Sequence, residues 1–465
     1  MELLPEIILT IFILIIAILS FTLKKEQQNV IVWVSFLGVI LAMVATGFVT
    51  TGEVFSGAFV SNNFISMFRI IILLGTIVTI FLSKDYIRST GEFYFLLLTA
   101  TLGAMLLCGA NDLIMLFIAL ETLSISSFAL TGYTKFNRLS NEAALKYLIF
   151  GAAASGIMLY GFSFIYGLTG HTNLNLIGYF LNNSDLNLIV VVAFLFVLAG
   201  FGFKISAVPF HSWAPDVYEG APLPVAAYLS VVSKTAGFAA LIRFISMLFP
   251  DTVLVSMIIS VFAAITMTVG NIAALRQQNI RRLMAYSSIA HAGYLLMGLA
   301  ILSYDGVTAV MFYLITYLFM NFGVWAAVEI FATITGKENV DDYNGLSYKH
   351  RYYALGLTLC LLSLAGIPIT AGFFSKFYLF TVVTMAGYEY IPLLVIGLIN
   401  TVIALFYYVR VIKAMYVQPE DKTQYIEITK SPLALRAILA VTVAGVILIG
   451  VFASPFIEFI IRNTY

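Results

Sequence analysis

The chain has 465 residues, 61% of them hydrophobic and 10% charged, with a mean hydropathy of +1.01; soluble domains run at about 45–50% apolar and about 25% charged, so a soluble globular protein is excluded. With 24 Lys+Arg against 23 Asp+Glu the formal charge is +1, which leaves no basic face for a phosphate backbone and excludes nucleic acid as a partner. Two cysteines, Cys108 and Cys360, are too few for a Cys₄ iron–sulfur or zinc site, and no C-x-x-C-H run for haem attachment occurs.

A membrane-spanning helix needs about 20 apolar residues. Stretches of that length recur from end to end and predict an all-α polytopic membrane protein, a single membrane domain over 1–465. About fourteen helices are expected, near residues 3–23, 28–50, 64–83, 92–110, 111–133, 144–169, 187–208, 222–249, 252–274, 281–302, 306–333, 352–384, 388–417 and 434–461. The first stretch opens with Glu2 and Glu6 in place of a basic segment and has no small-residue cleavage site, as expected of a retained helix.

Basic residues alternate between the joints. Counted from the first, the odd-numbered joints hold Lys24, Lys25, Lys84, Arg88, Lys135, Arg138, Lys146, Arg276, Arg281, Arg282, Lys337, Lys349, Arg351, Arg410, Lys413, Lys422, Lys430 and Arg436. The opposite side holds Arg243 and Arg462. The excess of positive charge on cytoplasmic loops therefore predicts both termini on the non-cytoplasmic side.

Four charges sit where hydrocarbon is expected: Glu121 mid-way in the fifth stretch, Lys204 in the seventh, Lys234 in the eighth and Lys376 in the twelfth. A charge at mid-membrane costs about 2.5–3.5 kcal/mol on insertion scales, and such residues face a bundle interior or water and mark ion or proton paths. The competing role for a lysine or arginine is to extend from a helix end to the headgroups, which is the expectation for Arg69 and Lys146. Glu121 is too short for that, and its competing role is a protonated carboxyl that glues helices together. It is the one acidic residue expected deep in the membrane, Glu329 and Glu458 falling closer to helix ends.

Two of the lysines lie near helix breakers. Proline lacks an amide donor and clashes with the carbonyl four residues back, so Pro209 should free the carbonyl of Ile205, and Pro368 that of Leu364. Broken helices at membrane depth persist only where they are buried or line a cavity. Lysine suits a proton path because burial disfavours the charged amine while a nearby carboxylate favours it, so a partner that approaches and withdraws moves a proton on and off. His291, mid-way in the tenth stretch, is expected to share a hydrogen-bonded chain with Ser287, Ser288 and Tyr294. No second histidine at similar depth offers a haem ligand, and neither a dinucleotide fingerprint nor a P-loop occurs. Electron donors must bind elsewhere.

The segments LETLSISSFALTGYTKFNRLSNEAALKYLIFGAAASGIMLYGFSFIYG (Leu120–Gly167), FKISAVPFHSWAPDVYEGAPLPVAAYLSVVSKTAGF (Phe203–Phe238), YSSIAHAGYLL (Tyr286–Leu296) and LAGIPITAGFFSKFYLF (Leu364–Phe380) closely resemble the subunit N family of bacterial respiratory complex I, known as subunit 2 in mitochondria and with counterparts in plastids and cyanobacteria. The resemblance implies an antiporter-like fold of fourteen helices: three in 1–91, two inverted five-helix repeats in 92–249 and 250–417 with helices 7 and 12 broken, and a joint with helix 14 in 418–465. It implies a proton path through Glu121 paired with Lys204, Lys234 as central relay and Lys376 at the outer exit; Lys146 matches a family lysine, and His291 is a further candidate on the path. It also implies that this chain is a subunit of a proton-translocating NADH:quinone oxidoreductase in a bacterial plasma membrane or a thylakoid. Its partners would then be other membrane subunits, antiporter-like homologues among them, with lipid and protons. NAD or another donor, FMN, iron–sulfur clusters and quinone would be bound on those other subunits, with no cofactor or metal on this chain. The competing reading is a subunit of a multisubunit sodium/proton antiporter. The match around HSWAPDVYEGAP, and Lys376 where antiporter relatives more often carry an acid, favour the quinone-reducing complex.

Overall fold

In the computed structural model the described residues are 1–24, 27–87, 91–183, 188–250, 252–417 and 431–464. Lys25, Arg88, Lys422 and Lys430 of the basic joints lie outside them. The chain forms two compact units, Met1–Val255 and Ser256–Arg462.

The first unit opens with α1 (Leu4–Thr22) and α2 (Asn29–Thr46), then an antiparallel hairpin of β1 (Gly52–Val54) and β2 (Phe59–Ser61) in the register Gly52 to Ser61 and Val54 to Phe59. It continues with α3 (Asn63–Tyr86), α4 (Gly91–Gly109), α5 (Leu113–Thr131), α6 (Arg138–Thr169), α7 (Leu174–Asn182), α8 (Leu188–Ile205) and α9 (Trp213–Gly220). Last comes α10 (Leu223–Tyr228), joined to α11 (Lys234–Leu248) through one π turn, Leu229–Ser233. Short polar side chains set the starts. Asn62 accepts from the amide of Ile65 at 3.0 Å, Asp112 from Ile114 at 2.8 Å and Asn137 from Leu139 at 2.9 Å, each cap being worth about 1 kcal/mol. The Asn137 cap is why α6 begins at Arg138, ahead of the apolar stretch expected from 144.

Two expectations are corrected here. The second stretch does not continue to residue 50: α2 ends at Thr46, and the chain turns into the hairpin, whose loop runs through Phe55, Ser56 and Gly57 at positive φ. The nine-residue α7, with Leu174, Ile177 and Gly178 buried on one face, was not anticipated because it is too short to span and lies within what reads as a joint.

The second unit is built on α12 (Val253–Ala274), α13 (Ile280–Leu299) and α14 (Tyr304–Thr335), followed by a 3₁₀ turn over Val340–Tyr343 and α15 (Leu346–Lys349). Then come α16 (Arg351–Ala365), α17 (Ala371–Ala386), α18 (Ile391–Tyr416), α19 (Leu433–Val451) and α20 (Ala453–Thr464). The last apolar stretch is thus two helices. Pro455 clashes with the carbonyl four residues before it, and α19 stops at that residue, Val451.

Among the described residues, twelve helices are long and apolar enough to cross a membrane, which makes the chain a multi-pass integral membrane protein. The two remaining predicted stretches behave differently. Residues 281–302 form α13, whose Arg281, Arg282 and His291 dilute its hydropathy, and residues 352–384 are broken into α16 and α17. The seventh stretch is interrupted as well, leaving the helix after Ile205 through Ser206 at φ +61.

Candidate functional site

Lys204 is the penultimate residue of α8, with only 2% of its surface exposed. Its Nζ donates to Ser124 Oγ on α5 at 3.1 Å, and Ser124 Oγ donates in turn to the Leu120 carbonyl at 2.8 Å. Glu121 stands one turn before Ser124 on the same face of α5. Its carboxylate is half-buried and accepts from Ser155 Oγ of α6 at 2.5 Å. Among the described residues no ion pair within 4 Å joins Glu121 to Lys204; the two groups are linked through adjacent turns of one helix.

Beyond the break, α9 turns back onto α8. Trp213 Nε1 donates to the Phe203 carbonyl at 3.1 Å, and the indole stacks on Tyr147 at 4.3 Å and 15°. The indole thus engages the Phe203 carbonyl two residues before Ile205, where α8 ends and whose carbonyl Pro209 was expected to free. Three buried polar atoms around it, Tyr147 Oη, Ser206 Oγ and His211 Nδ1, have no hydrogen-bond partner among the described residues, the condition under which a break takes up water. Lys146 does not simply reach for headgroups. Its Nζ ties α6 to α9 through Asp216 Oδ2 at 2.7 Å and lies 2.8 Å from Glu142 Oε1 one turn earlier.

Lys234 is 1% exposed and follows directly on the π turn, within a span whose residues 223–245 are all buried. One turn further on, a Cβ at Gly237 would lie 2.9 Å from Ile205 Cγ2 and 3.3 Å from Lys204 Cγ. The missing side chain lets the end of α8, with the stem of Lys204, lie against α11 near Lys234.

In the second unit Lys376 of α17 is 3% exposed. Its Nζ donates to the carbonyls of Leu364 at 2.9 Å and Ala365 at 3.1 Å and lies 4.9 Å over the Tyr294 ring. Leu364 is the residue whose carbonyl Pro368 was expected to free, so the amine occupies the negative end of the broken helix. The two half-helices touch where Gly372 faces Ser363: the Gly372 amide donates to Ser363 Oγ at 3.0 Å, and a Cβ on Gly372 would lie 1.8 Å from the Ser363 carbonyl. Gly372→Ala is expected to cost about 1–3 kcal/mol and to loosen the grip on Lys376; the denaturation midpoint of the purified variant checks it, an unchanged midpoint being the contrary result.

His291, 2% exposed on α13, is held by Tyr313 Oη at 2.7 Å from Nδ1 and by Tyr408 Oη at 3.2 Å from Nε2. Tyr408 passes the chain on to Ser287 Oγ at 2.5 Å. Ser287 was expected in this chain; Tyr313 and Tyr408 were missed, although each interrupts an apolar run. Tyr294 instead bonds Thr401 Oγ1 at 3.1 Å and offers its face to Lys376.

One further charge was misread from sequence, and three others are buried. Arg69 does not extend to headgroups: it is fully buried, its Nε 2.7 Å from Glu6 Oε1, with its other nitrogens on Ser61 Oγ and the Glu2 carbonyl, both at 2.9 Å. Glu6 and Glu329 are both buried while Glu121 is half-buried. Arg243, assigned to a joint, is 5% exposed and donates to Asn111 Oδ1 at 3.1 Å.

Residues 110–404 match the family described as NADH:quinone oxidoreductase/Mrp antiporter, transmembrane. The chain is 44% identical to NAD(P)H-quinone oxidoreductase subunit 2 of Thermosynechococcus vestitus, over 97% of this chain and 90% of that protein. Its fold is similar to a chain of respiratory complex I from Thermus thermophilus, with a TM-score of 0.83, 30% identity and 98% and 99% of the two chains covered. A chain of the Mrp complex from Dietzia shares the fold with a TM-score of 0.87 at 20% identity, over 100% and 97%.

Proposed function

Because this chain belongs to the NADH:quinone oxidoreductase/Mrp antiporter family of membrane subunits, we propose that it is the proton-translocating subunit N (subunit 2) of a quinone-reducing complex. The observation that carries the reading is Lys376, a buried amine held only by backbone carbonyls at a helix break and an aromatic face. Such a group binds and releases a proton in response to small electrostatic changes, because little but its desolvation and local dipoles sets its balance.

In this reading Glu121 and Lys204 load the inner half-channel through the turns of α5, Lys234 is the central relay, and Lys376 hands protons to the outer exit. Lys146 and the Ser287–Tyr408–His291–Tyr313 chain conduct at the margins of that path. Residues 92–249 and 250–417 form two inverted repeats, a division supported by one broken helix in each, α8 with α9 and α16 with α17.

Partner membrane subunits, including antiporter-like homologues, cover the face on which Glu121 is half-exposed. The support is that Ile114, Ile118 and Ile125 on that helix are 54–60% exposed around it, and a carboxylate open to lipid is costly. NAD or another donor, FMN, iron–sulfur clusters and quinone belong to other subunits. The basic joints support both termini on the non-cytoplasmic side, in a bacterial plasma membrane or a thylakoid.

The test is gentle solubilisation of native membranes followed by mass spectrometry of what co-isolates with this chain. Iron–sulfur and quinone-site subunits, with piericidin-sensitive electron transfer, are expected. Co-isolation with small membrane subunits and no redox protein overturns the reading and assigns the same residues to a sodium/proton exchanger.

A further inference from the structure

Between the first turns of α16 and α19 lies an open cavity of about 760 Å³ whose lining includes none of the buried lysines. Its mouth carries Tyr352, Tyr353, Ser431 and Arg436, and its deeper walls are apolar, ending at Leu359 on α16 and Val443 on α19. Polar residues therefore stand at the starts of both helices and apolar ones a turn or two further along each, so the cavity is amphipathic along its length. Tyr353 Oη and Ser431 Oγ are hydrogen-bonded to each other across the mouth. The Arg436 side chain is exposed and has no hydrogen-bond or ion-pair partner among the described residues. Arg351, at the start of α16, adds a second guanidinium beside Tyr352.

We propose that this groove is a binding site for an anionic phospholipid, its phosphate at Arg436 and one acyl chain along Leu355, Gly356, Leu439 and Ala440. The charge argument selects the occupant. A basic pocket between membrane helices on the side rich in Lys and Arg favours an anionic headgroup, and flanking tyrosines sit at headgroup depth. A zwitterionic headgroup brings its own cation beside the phosphate, where Arg436 and Arg351 repel it, so the net attraction is weaker than for an anionic one. Gly356 shapes the floor: its Cβ would lie 3.1 Å from Leu439, so α16 and α19 close the inner wall.

The experiment uses the native assembly containing this chain, stripped of loosely held lipid and equilibrated with labelled phosphatidylglycerol or phosphatidylcholine. Retained phosphatidylglycerol is expected to exceed phosphatidylcholine at least fivefold. Arg436→Gln should reduce that retention at least fivefold, Arg436→Lys should keep most of it, and Ala440→Phe should abolish it by filling the apolar floor while leaving the arginine in place. Equal retention of the two lipids by the unaltered assembly overturns the proposal without recourse to any variant. So does undiminished retention by Arg436→Gln, or disulfide or bifunctional cross-linking of Ala440→Cys to another polypeptide in the intact assembly.

Discussion

Lys234→Met is expected to reduce proton translocation by the assembled complex at least tenfold while leaving the fold intact. The side chain is buried at the head of α11, and methionine keeps most of its length and apolar stem while removing the amine. A wild-type yield of assembled complex with an undiminished rate of quinone reduction separates a loss of pumping from a loss of structure. Lys234→Arg should fail as well, because a guanidinium stays protonated and does not act as a relay. Dye-reported acidification of inverted membrane vesicles, read beside the rate of quinone reduction, measures both quantities. Wild-type acidification by Lys234→Met would remove this lysine from the path.

The second large effect concerns stability. Arg69→Met removes the guanidinium that pairs with Glu6 and leaves a buried carboxylate facing no counter-charge. Breaking a buried pair from one side costs about 3–5 kcal/mol. Here the loss also releases Ser61 of β2 and the Glu2 carbonyl, so α1, α3 and the hairpin should loosen together. The double substitution Arg69→Met with Glu6→Leu should recover most of the stability, since neither charge is then stranded. Denaturation midpoints of the four proteins in a double-mutant cycle decide the matter; a single variant as stable as wild type would show that the pair is not a structural tie.

The spans were legible because each rests on a local quantity, the length of an apolar run. Pro368 was legible for a similar reason: the clash reaches a fixed four residues back, and Leu364 is where the Lys376 amine is found. At Pro209 the same rule named Ile205, the last residue of α8, but it could not name the Phe203 carbonyl that Trp213, ten residues on, engages. Tertiary partners of this kind have no local signature. Arg69 and Glu6 are 63 positions apart, and His291 and Tyr408 are 117 apart, so nothing near either residue announces the other. The hairpin and α7 were missed because short elements between spans are placed by packing more than by propensity. The division of the last stretch at Pro455 was readable from the proline rule and was overlooked because its apolar run is unbroken.

The π turn Leu229–Ser233 places a surplus residue immediately before Lys234. A surplus residue in a helix is a defect with a position, and it can travel: passing it beyond Lys234 would turn that side chain about the helix axis by roughly 100°, the angle one residue subtends at 3.6 residues per turn. Neither end of the helix need shift. The lysine would then address two directions in alternation by local repacking of hydrogen bonds over a single turn. Such a switch suits a span buried on all faces from 223 to 245, where neighbours on every side oppose tilting or sliding of the rod as a body.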